Sequence, residues 1–340
     1  MRLAVALFVA VLAGCQGAPV TPSSESLAAS APNSTVGSPS LSPSPSPTLD
    51  LATLEGKILF TRAGGEFGDE TIFTANADGS NEQRITDFGV TCCPRWSPDG
   101  EYILSAAATN DDRITTQLIH PDGSLVEKIP LPPGTLNLMC GMAWSAATDH
   151  LACESFDDAD RSRAGIYTIR ASDWGDLVRV TESPGNPTRP LDFSLDGSQI
   201  YFFDPAALAL FVVNVDGTGL QRITPEDLTV EAIDVGYSGG RRSPDGTQIV
   251  FGDEAGILWT VHPDGSGLTK LFEDSEGRLA ATPTWSPDGA HIMFVLDPAG
   301  TNANIDDPPP NALYVMNADG TNPTPVIVSD DWKLKPDWVR

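Results

Sequence analysis

One short signature recurs along the chain: an aromatic residue, then Ser, then a Pro-Asp-Gly or Leu-Asp-Gly turn, then an apolar run. It stands in full at Trp96-Ser97-Pro98-Asp99-Gly100, Phe193-Ser194-Leu195-Asp196-Gly197 and Trp285-Ser286-Pro287-Asp288-Gly289. It is abbreviated at Trp144-Ser145 and at Trp338, and Arg242-Ser243-Pro244-Asp245-Gly246 puts an arginine in the aromatic's place. The six anchors lie 48, 49, 49, 43 and 53 residues apart. A fixed period of this length marks a repeat architecture, in which each unit buries its apolar face only against its neighbours.

Each unit reads as four strands. After the turn come Ile103, Leu151, Ile200, Ile249 and Ile292, and two residues later Ser105, Cys153, Phe202, Phe251 and Phe294. A spacing of two puts both positions on one face of a strand. A second apolar run follows, such as Ile166-Tyr167-Thr168-Ile169 or Leu313-Tyr314-Val315-Met316, then an Asp-Gly turn, then a short segment such as Arg222-Ile223-Thr224. Proline presets φ in these turns and glycine takes positive φ, so adjacent strands form hairpins. No helical period interrupts the pattern.

The ends of the repeat array complement each other. Lys57-Ile58-Leu59-Phe60 matches the second strand of a unit that lacks its first, and Lys335-Pro336-Asp337-Trp338-Val339-Arg340 is a first strand without successors. Joining them makes a sixth sheet and closes a ring, which shields the sheet edges. The expected fold is all-β: a six-bladed β-propeller of four-stranded antiparallel blades over residues 51–340.

The segment before it differs in kind. Met1-Arg2, the apolar run Leu3 to Val11 and Leu12-Ala13-Gly14-Cys15 have the order of an export signal. The last four residues resemble a bacterial lipobox, which implies a signal peptide over residues 1–14 and a diacylglycerol on Cys15. Residues 15–50 are rich in Ser and Pro, including Ser42-Pro43-Ser44-Pro45-Ser46-Pro47, and read as a disordered, extended spacer. The expected location is therefore outside the cytoplasm, anchored to the cell membrane or, in a two-membrane cell, the outer membrane.

The formal charge of -26, from 20 Lys+Arg against 46 Asp+Glu, excludes a binder of nucleic-acid backbone. Apart from Cys15 the cysteines are Cys92, Cys93, Cys140 and Cys153. An even number in an exported chain suggests disulfides. Cys140 and Cys153 flank the Trp144 hairpin and are the favoured pair; a Cys92–Cys93 bridge is left open. No CxxC or clustered His accompanies them, so no metal is expected, and no cofactor motif is present.

The signature at Trp285 to Gly289, the strand Gln248-Ile249-Val250-Phe251, the runs Asn214 to Thr218 and Asn317 to Thr321, and Arg222-Ile223-Thr224 together resemble the TolB-type propeller repeat. The resemblance covers residues 55–340. It implies the propeller fold and, by analogy with TolB, an envelope protein as partner. The α/β domain that precedes the propeller in TolB is not expected here; a lipid anchor and spacer are expected in its place.

Catalytic signals are weak. Gly236-Tyr237-Ser238-Gly239-Gly240 fits the G-x-S-x-G elbow of α/β-hydrolases, but a repeat strand and turn follow Ser238 where the elbow needs a helix, so it reads as a chance match. The four histidines, His120, His150, His262 and His291, are scattered, and the Asp-Gly turns lack the calcium-loop spacing. Loops leading into the first strands carry Arg95, Arg189, Arg241, Arg242, Lys333 and Lys335 beside Trp332. They point to a channel mouth that binds an anionic group, such as a partner's carboxylate or an acidic glycan, unless these cations neutralise Asp192, Asp330, Asp331 and Asp337. The expected function is a monomeric binding scaffold, without enzyme activity. The alternatives are a propeller lyase or lactonase with a site on the channel axis, and a structural envelope component.

Overall fold

The structure is a computed structural model that describes residues 49–340 except 64–69, 87–91, 111–112, 184–187, 231–239 and 298–310. The leader, Cys15, nearly all of the spacer and Ser238 lie outside the described residues, as does the side chain of Cys92.

Six four-stranded antiparallel sheets form the fold. Their first strands are Trp332–Val339 in blade 1, Cys92–Trp96 in blade 2, Asn137–Ser145 in blade 3, Arg189–Phe193 in blade 4, Arg241–Arg242 in blade 5 and Leu279–Trp285 in blade 6. Each first strand touches the first strand of the next blade, and the cycle closes. Blade 1 is assembled from both ends of the chain: Trp332–Val339 pairs with Lys57–Ala63, with Trp338 opposite Ile58. Two single-turn 3-10 helices, Leu51–Thr53 and Arg161–Arg163, are the helical elements among the described residues. Ordered packing begins before residue 51, because Leu49, Leu51 and Leu54 lie against the core and Asp50 accepts the Ala52 N–H at 3.1 Å.

Alternation along the strands gives every blade two apolar faces, and each interface between blades holds its own cluster. Leu59, Ile72, Trp96, Ile103 and Ile119 fill the space between blades 1 and 2. Leu191, Tyr201, Phe203, Ile249 and Phe251 do so between blades 4 and 5. Ile58, Phe60, Met293, Val295 and Trp338 join blades 6 and 1.

The Asp-Gly turns add a second kind of contact. Gly123 has φ +85°, and a Cβ there would fall 2.1 Å from the Ile85 carbonyl oxygen of the preceding blade. A side chain would push the blades apart, so glycine serves both the turn and the interface. The aspartate closes the turn on itself: Asp122 Oδ1 accepts the Ser124 N–H at 2.9 Å and its hydroxyl at 2.6 Å.

A feature with no sequence signature recurs on the first strands. Three residues before the anchor, Cys93, Gly141, Thr282 and Lys335 have φ of 66°, 109°, 48° and 56°. Each sits at a register shift between the first and second strands. These are bulges that bend the strand as it approaches the channel, and positive φ at a β-branched residue such as Thr282 is costly.

Cys140 and Cys153 are cross-strand partners in blade 3 and form a disulfide. Both are buried. Cys93 is disulfide-bonded as well. Replacing Cys140 and Cys153 together by Ala is expected to cost about 2–4 kcal/mol, measured by urea unfolding of the variant against the oxidised protein.

Candidate functional site

Antiparallel pairing places the start of each first strand and the end of each second strand at one end of the channel. Trp332, Lys333 and Arg189 stand at that mouth, whereas Arg95, Asp337, Asp192 and Arg242 lie toward the opposite end of the inner strands, at or one residue before the anchor, and not in the lead-in loops where the sequence put the cations. Arg95 of blade 2 donates from Nη1 to Asp337 Oδ1 of blade 1 at 3.1 Å, and Asp337 Oδ2 accepts the Trp96 N–H at 2.8 Å. Across the ring, Arg242 Nε stands 3.7 Å from Asp192 Oδ2. Burial pushes the Asp192 carboxyl above the ordinary range; Arg242 and Arg95 oppose this and Asp337 adds to it. Charges from blades 1, 2, 4 and 5 thus act on one another around the axis.

The mouth residues and Arg241 have equally specific surroundings. Lys335 Nζ lies 2.8 and 3.1 Å from the two oxygens of Glu70. Arg241 is buried and donates from Nη1 to the carbonyls of Leu191 and Gly240, both at 3.1 Å. Lys333 is wholly buried, with Nζ 2.8 Å from Asp331 Oδ1. Trp332 is buried beside Asp297; burial pushes that carboxyl up, while the Asn311 amide and the Trp332 indole oppose the shift. Arg189 is half-buried at the start of blade 4. The structure therefore gathers Arg95 and Arg242 around the axis, pairs Lys335 and Lys333 with carboxylates, and uses Arg241 to tie blade 5 to blade 4.

Arg242 explains its own departure from the repeat. Its Nε donates to the Phe193 carbonyl of blade 4 at 2.7 Å, and Trp285 Nε1 donates to the Arg241 carbonyl of blade 5 at 3.1 Å. At these two anchors a side-chain N–H reaches the preceding blade, and a guanidinium supplies it as an indole does, although Phe193 fills the same position without a donor. The signal in the sequence is the arginine itself, standing where other units have an aromatic.

Among the described residues, no group of three or more His, Cys, Asp or Glu side chains comes together as a metal site. Two histidines bond to turn carbonyls of their own blades: His150 Nδ1 lies 2.6 Å from Thr148 O, and His262 Nδ1 2.8 Å from Thr247 O.

The turn aspartates set the response to acid. The Ser80 hydroxyl and N–H hold Asp78 below the ordinary carboxylate range, and Thr218 and Ser266 do the same for Asp216 and Asp264. The Ser194 hydroxyl, with Ser198, brings Asp196 down to about 2. A carboxyl whose folded value lies below its unfolded value stabilises the fold at neutral pH and loses that contribution as pH falls. Stability is therefore expected to hold down to about pH 4 and to fall progressively toward pH 2, as followed by urea midpoints across that range.

No model of a protein family matches the chain. It is 25% identical over 255 residues to the uncharacterized protein Atu1656 of Agrobacterium fabrum, covering 59% of this chain and 83% of that one. Among solved structures it resembles TolB from Acinetobacter baumannii, with a TM-score of 0.64 and 17% identity, over 84% of this chain and 66% of that longer one. A TolB-type structure from Agrobacterium tumefaciens gives 0.58 and 17%, over 82% and 91%. An oligogalacturonate lyase from Vibrio parahaemolyticus gives 0.53 and 13%, over 80% and 74%. The chain has the TolB-type six-bladed propeller fold, and at these identities the likeness concerns the fold alone.

Proposed function

We propose that this chain is a lipid-anchored envelope protein whose propeller serves as a binding scaffold, presenting the channel mouth to another envelope component. The observation that carries the reading is the set of ion pairs at that end, Lys335 with Glu70, and Lys333 and Arg62 with Asp331. Each cation is held in place by a carboxylate, so a ligand meets a preorganised polar rim of both signs. The export signal, the residue Cys15 at the lipobox end and the disulfide Cys140–Cys153 support a place outside the cytoplasm. The Ser/Pro segment would let the domain stand off the bilayer.

Two measurements test this in a bacterial host. Wild type should fractionate with membranes and yield an N-terminal peptide carrying acyl mass on Cys15, while Cys15→Ala should be released as a soluble or unprocessed chain. A photo-cross-linking amino acid at Asp330, exposed at the mouth end, should capture a defined envelope component. The same probe at Asp99, in a turn at the opposite end, should not. Equal capture from both positions would overturn the mouth as the binding face.

A further inference from the structure

Blade 1 differs from the others in one consequence of its assembly. In blades 2 to 6 the first and second strands are joined by a covalent turn, as at Ser97 to Gly100 or Ser286 to Gly289. In blade 1 these strands come from opposite ends of the chain, so no turn fills that corner. The lead-in Leu54 to Gly56 crosses there instead, with the Trp338 indole donating to the Glu55 carbonyl at 2.9 Å. Between this lead-in and the Ser286–Asp288 turn of blade 6 lies a cavity of about 350 Å³. It opens at the end of the propeller away from the mouth.

The walls have a definite chemistry. Trp338 and His291 stack with ring centroids 6.5 Å apart and form the aromatic side. Asp288 and Glu55 are exposed carboxylates at the cavity, and Arg340 is an exposed cation there. Among the described residues Asp288 accepts the Ser286 hydroxyl at 2.5 Å and the Ala290 N–H at 3.0 Å, both on Oδ1. The volume is at the low end for small-ligand clefts.

We propose that this corner cavity is a binding site for a neutral saccharide of one or two rings. An anionic ligand would meet two carboxylates, and a cationic one would meet Arg340. A polyol uses both signs, donating hydroxyls to Asp288 and Glu55 and accepting from Arg340. The apolar face of a sugar ring packs on Trp338 and His291, as aromatic walls with a few convergent polar groups allow. The site is separate from the mouth, so its fate leaves the scaffold reading untouched.

The test uses the full chain in a non-glycosidic detergent. Saturation-transfer NMR and titration would be run with maltose, cellobiose and N,N′-diacetylchitobiose, and with glucosamine and glucuronate as charged comparisons. At least one neutral disaccharide should bind with a dissociation constant of about 1 mM or tighter. The double variant Glu55→Ala/Arg340→Ala, at two exposed positions, should weaken that binding tenfold or more with its melting temperature unchanged; His291→Ala should weaken it too. Three results would overturn the proposal: no neutral disaccharide bound at about 10 mM, tenfold tighter binding of a charged sugar, or binding unchanged in the folded double variant.

Discussion

A chain cut after Asp331 is expected to lose its cooperative unfolding transition and to elute as aggregate, and Trp338→Ala alone to lower the unfolding free energy by about 3–5 kcal/mol. The removed strand, Trp332–Val339, is the inner strand of blade 1 and pairs with Lys57–Ala63 along its length. Without it the inner edge of Lys57–Ala63 is unpaired, and the cluster between blades 6 and 1 loses Trp338 from beside Ile58, Phe60 and Met293. Exposed strand edges recruit other chains. Trp96→Ala in blade 2 is the informative comparison. Trp96 is equally buried, but the turn Ser97 to Gly100 keeps its strand tethered to Ile103–Ala108. It should cost similar packing energy without aggregation. Urea unfolding by circular dichroism and size-exclusion chromatography read both effects. A truncated chain with the wild-type midpoint and elution volume would show that the ring does not depend on this closure.

The closure was legible because it rests on counting. Ile58 sits in a second strand without a first, Trp338 in a first strand without a second, and pattern alone pairs them, as the register does. The Cys140–Cys153 bridge was legible for a similar reason, since a hairpin around Trp144 places both positions opposite each other. What stayed hidden depends on neighbours far apart in sequence. The bulges at Thr282 and Lys335 put positive φ on residues that give no hint of it, because the strain is imposed by the channel and the adjoining strand. The partners of the mouth cations were also out of reach: Asp337 was visible as a nearby acid, but its bond to Arg95 spans 242 residues, and Glu70 lies 265 residues from Lys335. The corner cavity follows from the absence of a turn in one blade, which becomes meaningful only when all six are superposed in space.

Lys333→Met is expected to destabilise the fold by about 3–5 kcal/mol, the order of leaving three buried carbonyls without their donor. The Lys333 side chain has no exposed surface. Its Nζ donates to the carbonyls of Asn311, Ser329 and Asp331 at 3.0, 3.3 and 3.0 Å, and pairs with Asp331 Oδ1 at 2.8 Å. Methionine keeps most of the volume and removes every donor, leaving three carbonyls facing an apolar group, while the partly exposed Asp331 keeps Arg62 and the Ser329 hydroxyl. Asp331→Asn is the graded control: it retains the three carbonyl bonds, so it should cost less, about 1–2 kcal/mol. Because the ammonium is enclosed, added salt should change the Lys333→Met effect little, whereas a surface pair would be screened. Denaturant midpoints of the two variants at low and high salt separate these cases. The result bears on the mouth as a binding surface. A large, salt-insensitive loss would mean that Lys333 is committed to fastening blade 6 to blade 1, so that recognition there falls to Lys335 and the partly exposed Arg62. A loss under about 1 kcal/mol would mean that water or another group can replace the ammonium, and Lys333 would then join the cations open to a ligand.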